Sequence, residues 1–241
     1  VVITCLLALC SLLSNSATLE KVELDLYWQH QFTFAGFYAA KEKGFYQAIG
    51  LDVSFNEPSG INESLNRVLS GTSQFGVYGS ELIEHFHKGA DIRLLANFVK
   101  QSPLVLITQP HIDSLKQLEG KNVAVLLPSA LTNGNIGAML RRHQVDVSAI
   151  NIVNANNAIE QFRQGKLSAF IAHSTNEPFY LEQENTGYKL FSPNQYGIVT
   201  NNLNLFTSAK FEQDNHQLVN DFVEASIKGW QYALSHSDEM I

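Results

Sequence analysis

The fold is decided by residues 28–53, WQHQFTFAGFYAAKEKGFYQAIGLDV. Just before this stretch, Val22, Leu24 and Leu26 alternate with charged residues, a pattern that predicts a strand. Within it, apolar residues recur at helical spacing from Ala35 onward, and its end alternates again as a second strand. A strand, a helix and a further strand in this order predict an α/β protein with a mostly parallel sheet covered by helices.

The loop between the first strand and the helix carries aromatic and polar side chains. Open α/β sheets bind ligands at the carboxyl ends of their strands, and rings beside an amide and an imidazole suit a small planar polar solute. We therefore expect Trp28, His30 and Gln31 to line a ligand cleft. Phe32 and Phe34 are expected to anchor the start of the helix in the core instead.

The same stretch resembles the start of the solute-binding proteins related to receptors for thiamine pyrimidine precursors and alkanesulfonates. Its His-Gln-Phe followed by Phe-Ala-Gly-Phe-Tyr-Ala-Ala is similar to the version found in periplasmic sensor modules of bacterial histidine kinases and diguanylate cyclases. The resemblance continues in patches along nearly all of the chain after residue 17. It implies a type II periplasmic-binding-protein fold, in which two α/β lobes, each a mostly parallel sheet covered by helices, hold the ligand between them.

Composition bounds the class of partner. A chain of 241 residues with 45% apolar residues can bury a substantial core, as one large domain or two modest lobes. The net charge of -7, without a basic run, argues against nucleic acid or an anionic membrane surface as partner. A small solute is the simpler expectation.

The chain opens on an apolar run, residues 1–17, that ends in small polar residues, as the hydrophobic region and cleavage site of a secretory signal do. We expect this segment to be a signal remnant and the mature protein to be periplasmic. Both cysteines, Cys5 and Cys10, lie in it, so the mature chain would have no disulfide, no thiolate metal site and no cysteine nucleophile. We also expect further chain beyond Ile241, which would distinguish a free receptor from a membrane-tethered sensor.

A second strand-to-helix junction is FGVYGSE, residues 75–81. Free N–H groups at such a helix start can hold a carbonyl or an anionic group. The alternative is an ordinary cap, in which Ser80 caps the helix and Glu81 favours its dipole. The resemblance implies that Tyr78, Ser80 and Glu81 line the cleft.

The helix that follows this junction contains two histidines, His85 and His87, together with Glu81 and Glu84. Glu81 and His85 are one turn apart, but His87 points elsewhere and no matching pair of ligands follows. We therefore expect a solvated helix face and no metal site.

Lys-Gln-Ser-Pro, residues 100–103, lies between two predicted strands. The resemblance implies that the chain crosses here from the first lobe to the second. Pro103 stiffens the crossing because it cannot donate a backbone hydrogen bond, while Gln101 and Ser102 can face the solute. We expect a hinge here, with the first lobe at 18–103, the second at 104–195 and a return to the first lobe at 196–241.

Polar residues also follow a strand-like run in the second lobe, residues 167–172. The Glu177 carboxylate, beside Asn176, can accept hydrogen bonds from an amino-substituted heterocycle or an ammonium group. The alternative is a plain helix start before Pro178. Tyr196 is predicted to stack on the solute, and residues 128–137 are expected to bring helix-start N–H groups to the cleft mouth. The resembled receptors carry Asp and Tyr shortly after Tyr-Gly, and this chain does not, so the solute stays open.

Our leading hypothesis is an exported solute-binding module that captures a small planar or amino-bearing molecule, such as a thiamine pyrimidine precursor, without a cofactor. It would hand the solute to an ABC permease or signal through a transmembrane module of its own. We find no supported catalytic set of side chains. The enzyme alternative resembles thiamine pyrimidine synthases that use pyridoxal phosphate and iron. It would need a lysine near residues 78–81 and a cysteine-rich segment, and the mature chain has neither.

Overall fold

A computed structural model describes residues 18–60, 62–125, 131, 134–154 and 156–240. The expected signal remnant, residues 1–17, lies outside the described residues. The described chain forms two five-stranded sheets with helices packed against them. No helix in these ranges combines the length and the apolarity that crossing a bilayer requires.

The first sheet has the strand order β2-β1-β3-β10-β4 and contains β1 (Glu20–Asp25), β2 (Leu51–Asn56), β3 (Phe75–Tyr78), β4 (Ile92–Val99) and β10 (Asn202–Ser208). β1 is parallel to β2 and to β3, whereas β10 runs antiparallel to β3 and to β4. Four strands therefore share one direction, and β10 lies reversed between two of them. This agrees with the mostly parallel sheet predicted for the lobe.

The second sheet repeats this arrangement in the order β7-β6-β8-β5-β9, with β5 (Leu104–Thr108), β6 (Asn122–Val125), β7 (Asn151–Asn154), β8 (Ala169–His173) and β9 (Lys189–Phe191). Here β5 is the reversed strand, antiparallel to β8 and β9. Successive residues of β5 enter different apolar clusters, which shows that the sheet is covered on both faces.

Helices pack against both sheets, and they are α1 (Ala35–Glu42), α2 (Glu63–Leu69), α3 (Leu82–His87), α4 (Asn135–Arg142), α5 (Ala158–Arg163), α6 (Glu177–Gln183), α7 (Ala209–Asp214) and α8 (His216–Ser235). The long α8 returns from the end of the chain to pack on α1. A Cβ built on Gly229 would lie 2.2 Å from the carbonyl oxygen of Gly36, so the two helices approach at backbone distance. Trp230 of α8 stacks on Phe98 with ring centroids 5.3 Å apart and packs against the core of the first sheet.

The two phenylalanines of the opening loop differ in burial. Phe34 is fully buried as predicted, but Phe32 is 60% exposed, so the prediction that it anchors the helix in the core is wrong. The two residues belong to a 3₁₀ turn, Phe32–Phe34. Because such a turn advances about 120° per residue, side chains two positions apart point to different sides.

The chain passes between the sheets twice, at residues 100–103 and again at 192–201. Ser102 N donates to Thr200 O at 2.7 Å, so the two crossings lie side by side. Ser174 N, just after β8, donates to Pro103 O at 2.8 Å. The Asn135 side-chain amide, at the start of α4, donates to the Thr200 hydroxyl. The crossings are thus tied to each other and to the second sheet.

A partly buried ion pair joins α2 to β1. Arg67 Nε donates to Asp25 Oδ2 at 2.8 Å, and Arg67 Nη2 donates to Glu23 Oε2 at the same distance. The Asp25 side chain is only 3% exposed, and Asn56 Nδ2 donates to its other oxygen at 2.8 Å. Since burying an unpaired carboxylate is costly, these contacts fix α2 against the end of β1.

Candidate functional site

A cleft of about 780 Å³ lies where strands of both sheets end. Residues that follow β1, β2 and β3 form one side, and residues around β5, β8 and the start of α4 form the other. The reversed strand β10 contributes its first residue, Asn202. Parallel strands that end at one edge leave a concave site there, as the strand-end principle predicts.

Aromatic side chains form the wall after β1. Trp28 is 46% exposed and lines the cleft, so much of its indole is accessible to a solute. Tyr27 packs edge-on against Phe34, with ring centroids 5.4 Å apart, and Asn202 Nδ2 donates to its hydroxyl oxygen at 3.4 Å. Burial raises the pKa of Tyr27; the hydrogen bond from Asn202 opposes the rise and the Glu81 charge adds to it. Tyr27 therefore presents a protonated phenol at neutral pH.

Tyr78, the last residue of β3, lines the same side of the cleft as this wall. Its hydroxyl donates to Asn62 Oδ1, and its ring meets His85 edge-on with centroids 5.7 Å apart. Burial raises the pKa of Tyr78 to about 12, and the charges of Glu81 and Glu84 contribute. Tyr78 is thus a hydrogen-bond donor that stays neutral at physiological pH.

Glutamates give the cleft its charge. Among the described residues that line it, Glu63, Glu81 and Glu84 carry carboxylates, and none is lysine or arginine. Residues 126–133, partly outside the described ranges, contain neither cation in the sequence. Glu63 accepts hydrogen bonds from Ser59 Oγ at 2.7 Å and from Gly60 N at 3.1 Å. The hydrogen bond from the Ser59 side chain is the main reason that the pKa of Glu63 is lowered, so Glu63 is held as an anion.

A row of asparagines supports the turn after β3. Asn204 Nδ2 donates to Gly79 O at 3.0 Å, and Asn97 Nδ2 donates to Asn204 Oδ1 at 3.1 Å. Asn97 also donates to the Asn202 carbonyl at 2.6 Å. Buried amides with satisfied partners hold one geometry. These bonds therefore fix Gly79, and with it the neighbouring Glu81, whose carboxylate lies over the Gly79 backbone.

The described residues contain no group of three or more His, Cys, Asp or Glu placed to hold a metal ion. His85 faces Tyr78, while His87 is exposed and its ring contacts that of Phe86 at a centroid distance of 6.1 Å. The cleft instead offers stacking faces, neutral donors and carboxylate acceptors. This combination suits noncovalent binding of a polar ring.

The family model described as NMT1/THI5 like matches residues 31–240. The chain belongs to the NMT1/THI5-like family. This confirms the family resemblance that residues 28–53 carry.

Two curated relatives of this family member are binding proteins by name. It is 22% identical over 237 residues to the riboflavin-binding protein RibY of Chloroflexus aurantiacus, covering 92% of this chain and 65% of the relative. It is 23% identical over 236 residues to the formylaminopyrimidine-binding protein of Halalkalibacterium halodurans, covering 95% of this chain and 71% of the relative. The chain thus spans about two thirds of the length of these relatives.

A solved structure shows the same fold. The periplasmic aliphatic sulphonate binding protein SsuA from Escherichia coli superposes with a TM-score of 0.69 at 16% identity, covering 92% of this chain and 76% of SsuA. The predicted periplasmic-binding-protein fold is therefore confirmed.

Five of the predicted site residues line the cleft together: Trp28, Tyr78, Ser80, Glu81 and Ser102. For Ser80 and Glu81 the alternative was a helix cap, and no side-chain hydrogen bond caps the start of α3. Of the segment 128–137, expected at the cleft mouth, the structure describes Leu131 and residues 134–137, and Gly134 lines the cleft.

The other six predicted residues lie away from the cleft walls. His30 contacts Tyr38, with ring centroids 5.9 Å apart, and lies 3.8 Å from the Glu57 carboxylate. Gln31 and Gln101 are exposed on their loops. Tyr196 packs on His143 with ring centroids 4.5 Å apart and against the apolar cluster of the second sheet, so its ring is already occupied.

Asn176 and Glu177 shape the turn after β8. Glu177 Oε2 accepts from His173 N at 2.7 Å, and Asn176 Nδ2 donates to Glu177 Oε1 at 3.2 Å. Pro178 lies in the first turn of α6, as the helix-start alternative expects, but no side-chain hydrogen bond caps this helix. His173 lines the cleft and Glu177 does not. Glu177 therefore holds the backbone of a lining residue by accepting the hydrogen bond from His173 N.

Several cleft residues were not identified from the sequence; besides Glu63 and Glu84, they are Tyr27, Gln29, Pro58, Ser59, Gly60, Asn62, Ser64, His85, Leu104, His173 and Asn202. Residues 58–60 follow β2, so applying the strand-end principle to the Glu-Pro-Ser-Gly turn would have found them. Asn202 offered no local signal, because it reaches the cleft only through the pairing of β10 with strands more than a hundred residues earlier.

Proposed function

We propose that this chain is an exported receptor whose cleft captures a small, planar, amino-bearing solute. The observation that carries the proposal is the set of aromatic rings and carboxylates in the cleft, without a lysine or arginine among its described lining residues. Stacking on Trp28 would hold the ring, and the Glu81 carboxylate would accept hydrogen bonds from an amino group or an ammonium.

The same charge pattern disfavours an anionic solute. A sulfonate or phosphate that enters the cleft would lose water and meet carboxylates, with no described cation to pair with it. The neutral hydroxyl of Tyr27 can donate to a carbonyl or ring nitrogen atom, whereas the Tyr78 hydroxyl, which already donates to Asn62, can accept a hydrogen bond. A protonated or amino-substituted heterocycle satisfies both kinds of group at once.

The relatives support this chemical class. One is named for riboflavin and one for formylaminopyrimidine, and both names describe planar nitrogen heterocycles. The structural neighbour named for aliphatic sulphonate shares the fold. Its named ligand is an anion, which the carboxylates of the present cleft disfavour.

We propose that the two predicted lobes, residues 18–103 with 196–241 and residues 104–195, move as rigid bodies. They would rotate about the paired crossings at residues 100–103 and 192–201. Closure there would bring His173 and Ser102 toward Trp28 and Tyr78 and exclude water from the solute. Six predicted ligand roles stay predictions, because the residues concerned do not line the cleft. These residues are His30, Gln31, Gln101, Asn176, Glu177 and Tyr196.

For the destination of the solute, we propose delivery to an ABC permease. Signalling through a transmembrane segment is the alternative favoured by the His-Gln-Phe loop. The gene sequence beyond residue 241 separates the two, because about 20 consecutive apolar residues followed by a cytoplasmic domain would indicate a sensor.

The enzyme alternative finds no support in the cleft. A synthase that uses pyridoxal phosphate would need a lysine to hold the cofactor, and the described lining residues include none. A binding role is also what the two curated relatives are named for.

Binding can be tested by calorimetry and thermal shift with 4-aminopyrimidine, riboflavin and ethanesulfonate. A ligand at a hundred times its Kd should stabilise the folded chain by about 2.7 kcal/mol. Glu81→Gln should weaken binding of the aminopyrimidine about tenfold or more, because it removes a charged acceptor. The matched control is Glu224→Gln, an exposed position on α8 away from the cleft. Tighter binding of ethanesulfonate than of the amino heterocycles would refute the proposal.

A further inference from the structure

A second cavity of about 680 Å³ lies on the other side of α3 from the cleft. Its walls come from α3, from the start of the edge strand β4 and from the crossing at residues 199–201, and Gly134 and Asn135 join from the start of α4, which packs on the second sheet. The two parts of the fold that form the cleft therefore also form this cavity.

The side chains around the second cavity are apolar and accessible. Ile83, Phe86, Leu94 and Val199 are each more than half exposed, and all four line the cavity. Single exposed apolar residues are common on protein surfaces. Four that converge on one concavity from three separate segments indicate a binding surface.

The second cavity is continuous with the cleft through the beginning of α3. Ser80, Glu81, Glu84 and Gly134 line both. The one cation among the described residues of the second cavity, Arg93, lies 3.6 Å from the Glu212 carboxylate. The combined space thus has a polar, acidic compartment beside an apolar one, with Glu81 at the boundary.

We propose that the second cavity is a subsite for an apolar substituent of the solute, an alkyl or aryl group attached to the amino-bearing ring. This inference rests on the proposed function, because the ring must lie in the cleft for its substituent to pass Glu81. A single heterocycle fills only a small part of the cleft volume of about 780 Å³. Because the cleft opens into the second cavity at α3, the rest of a larger solute can extend past this helix. The occupant would contact both sheets and so favour the closed arrangement.

The test compares 4-aminopyrimidine with 5-hexyl-4-aminopyrimidine on the whole chain by calorimetry. Each buried methylene contributes about fourfold in affinity, so the hexyl compound should bind at least about tenfold more tightly. Leu94→Ser and Phe86→Ser should each remove most of this gain and leave binding of the unsubstituted ring unchanged. Leu234→Ser is the matched control, since Leu234 is an exposed leucine on α8.

The outcomes separate the two proposals. If the bare ring binds and the hexyl chain adds nothing, or adds affinity that Leu94→Ser and Phe86→Ser do not remove, the subsite is refuted and the proposed function stands. If neither compound binds the folded chain, both are refuted. Sedimentation velocity gives a further check, because a dimer that Leu94→Ser dissociates would show that a second copy covers this face, and the subsite would be refuted.

Discussion

Replacing Arg67 with methionine should destabilise the first lobe strongly. The substitution keeps much of the volume of the side chain but removes both hydrogen bonds to carboxylates, including the one to Asp25 Oδ2 at 2.8 Å. Asp25 would keep only the bond from Asn56, in a position where its side chain is almost inaccessible to water.

The expected loss of unfolding free energy follows from the difference in burial between Asp25, which is almost fully buried, and Arg67, which is partly exposed. Removing one partner of a buried ion pair costs about 3 to 5 kcal/mol, because the other charge is left uncompensated. Arg67 is 32% exposed, so water can partly solvate the site and the lower end of about 3 kcal/mol applies. At about 2 to 4 °C per kcal/mol for a chain of this size, Tm should fall by about 6 to 12 °C.

Tryptophan fluorescence during urea unfolding is a suitable assay. The chain has two tryptophans, Trp28 after β1 and Trp230 in α8. Both adjoin the first sheet, so their emission reports the lobe that contains Arg67. Because α2 begins beside Asn62 and Glu63 of the cleft, the variant should also bind the solute more weakly.

Arg163→Met is the matched control, because Arg163 forms exposed pairs with Glu160 and Glu184, and such pairs are worth about 0 to 1 kcal/mol. Adding Asp25→Asn to Arg67→Met should restore part of the lost stability by removing the unpaired charge. The reasoning is refuted if Arg67→Met destabilises no more than Arg163→Met, or if the double variant is less stable than Arg67→Met alone.

Two further predictions concern helix packing and pH. Gly229→Ala should cost about 1 to 3 kcal/mol in urea unfolding, because its Cβ would lie 2.2 Å from the Gly36 carbonyl oxygen and α8 must move away from α1; the exposed Lys228→Ala should be close to neutral, and equal effects would contradict the packing argument. Burial raises the pKa of Tyr78 from 10.0 to about 12, so its contribution to stability is complete below about pH 10 and is lost as the pH rises toward 12. The difference in unfolding free energy between wild type and Tyr78→Phe should therefore be constant from pH 8 to 10 and fall above it, and a flat difference up to pH 11.5 would contradict this cause.

The sequence predicted the parts of the site that depend on strand ends. Trp28 follows a strand recognised from alternation, and the carboxyl ends of parallel strands meet at one edge. For Tyr78 and Glu81 the family resemblance, and not the strand pattern alone, indicated the cleft, and both line it. The prediction failed for Phe32 because a 3₁₀ turn precedes α1, and this side chain lies on its exposed side. Local pattern gives no warning of such a turn.

Tyr196 illustrates a different limit. A tyrosine after a strand can stack on a solute or on its own lobe, and the sequence does not distinguish the two. Here the ring meets His143, at the end of α4, more than fifty residues earlier in the chain. Asn202 is the opposite case, since it reaches the cleft only because β10 inserts between β3 and β4. Both outcomes depend on pairing that is long-range in sequence.

The position of β10 also constrains the order in which the chain can fold. β5 to β9 form a sheet from one continuous stretch, residues 104–191, whereas β3 and β4 lack the strand between them until residue 208 has been made. During synthesis, the first sheet would expose two unpaired edges while the second is already complete, and contacts this distant in sequence form slowly. Truncation before β10 should therefore leave an aggregation-prone first lobe beside an intact second one.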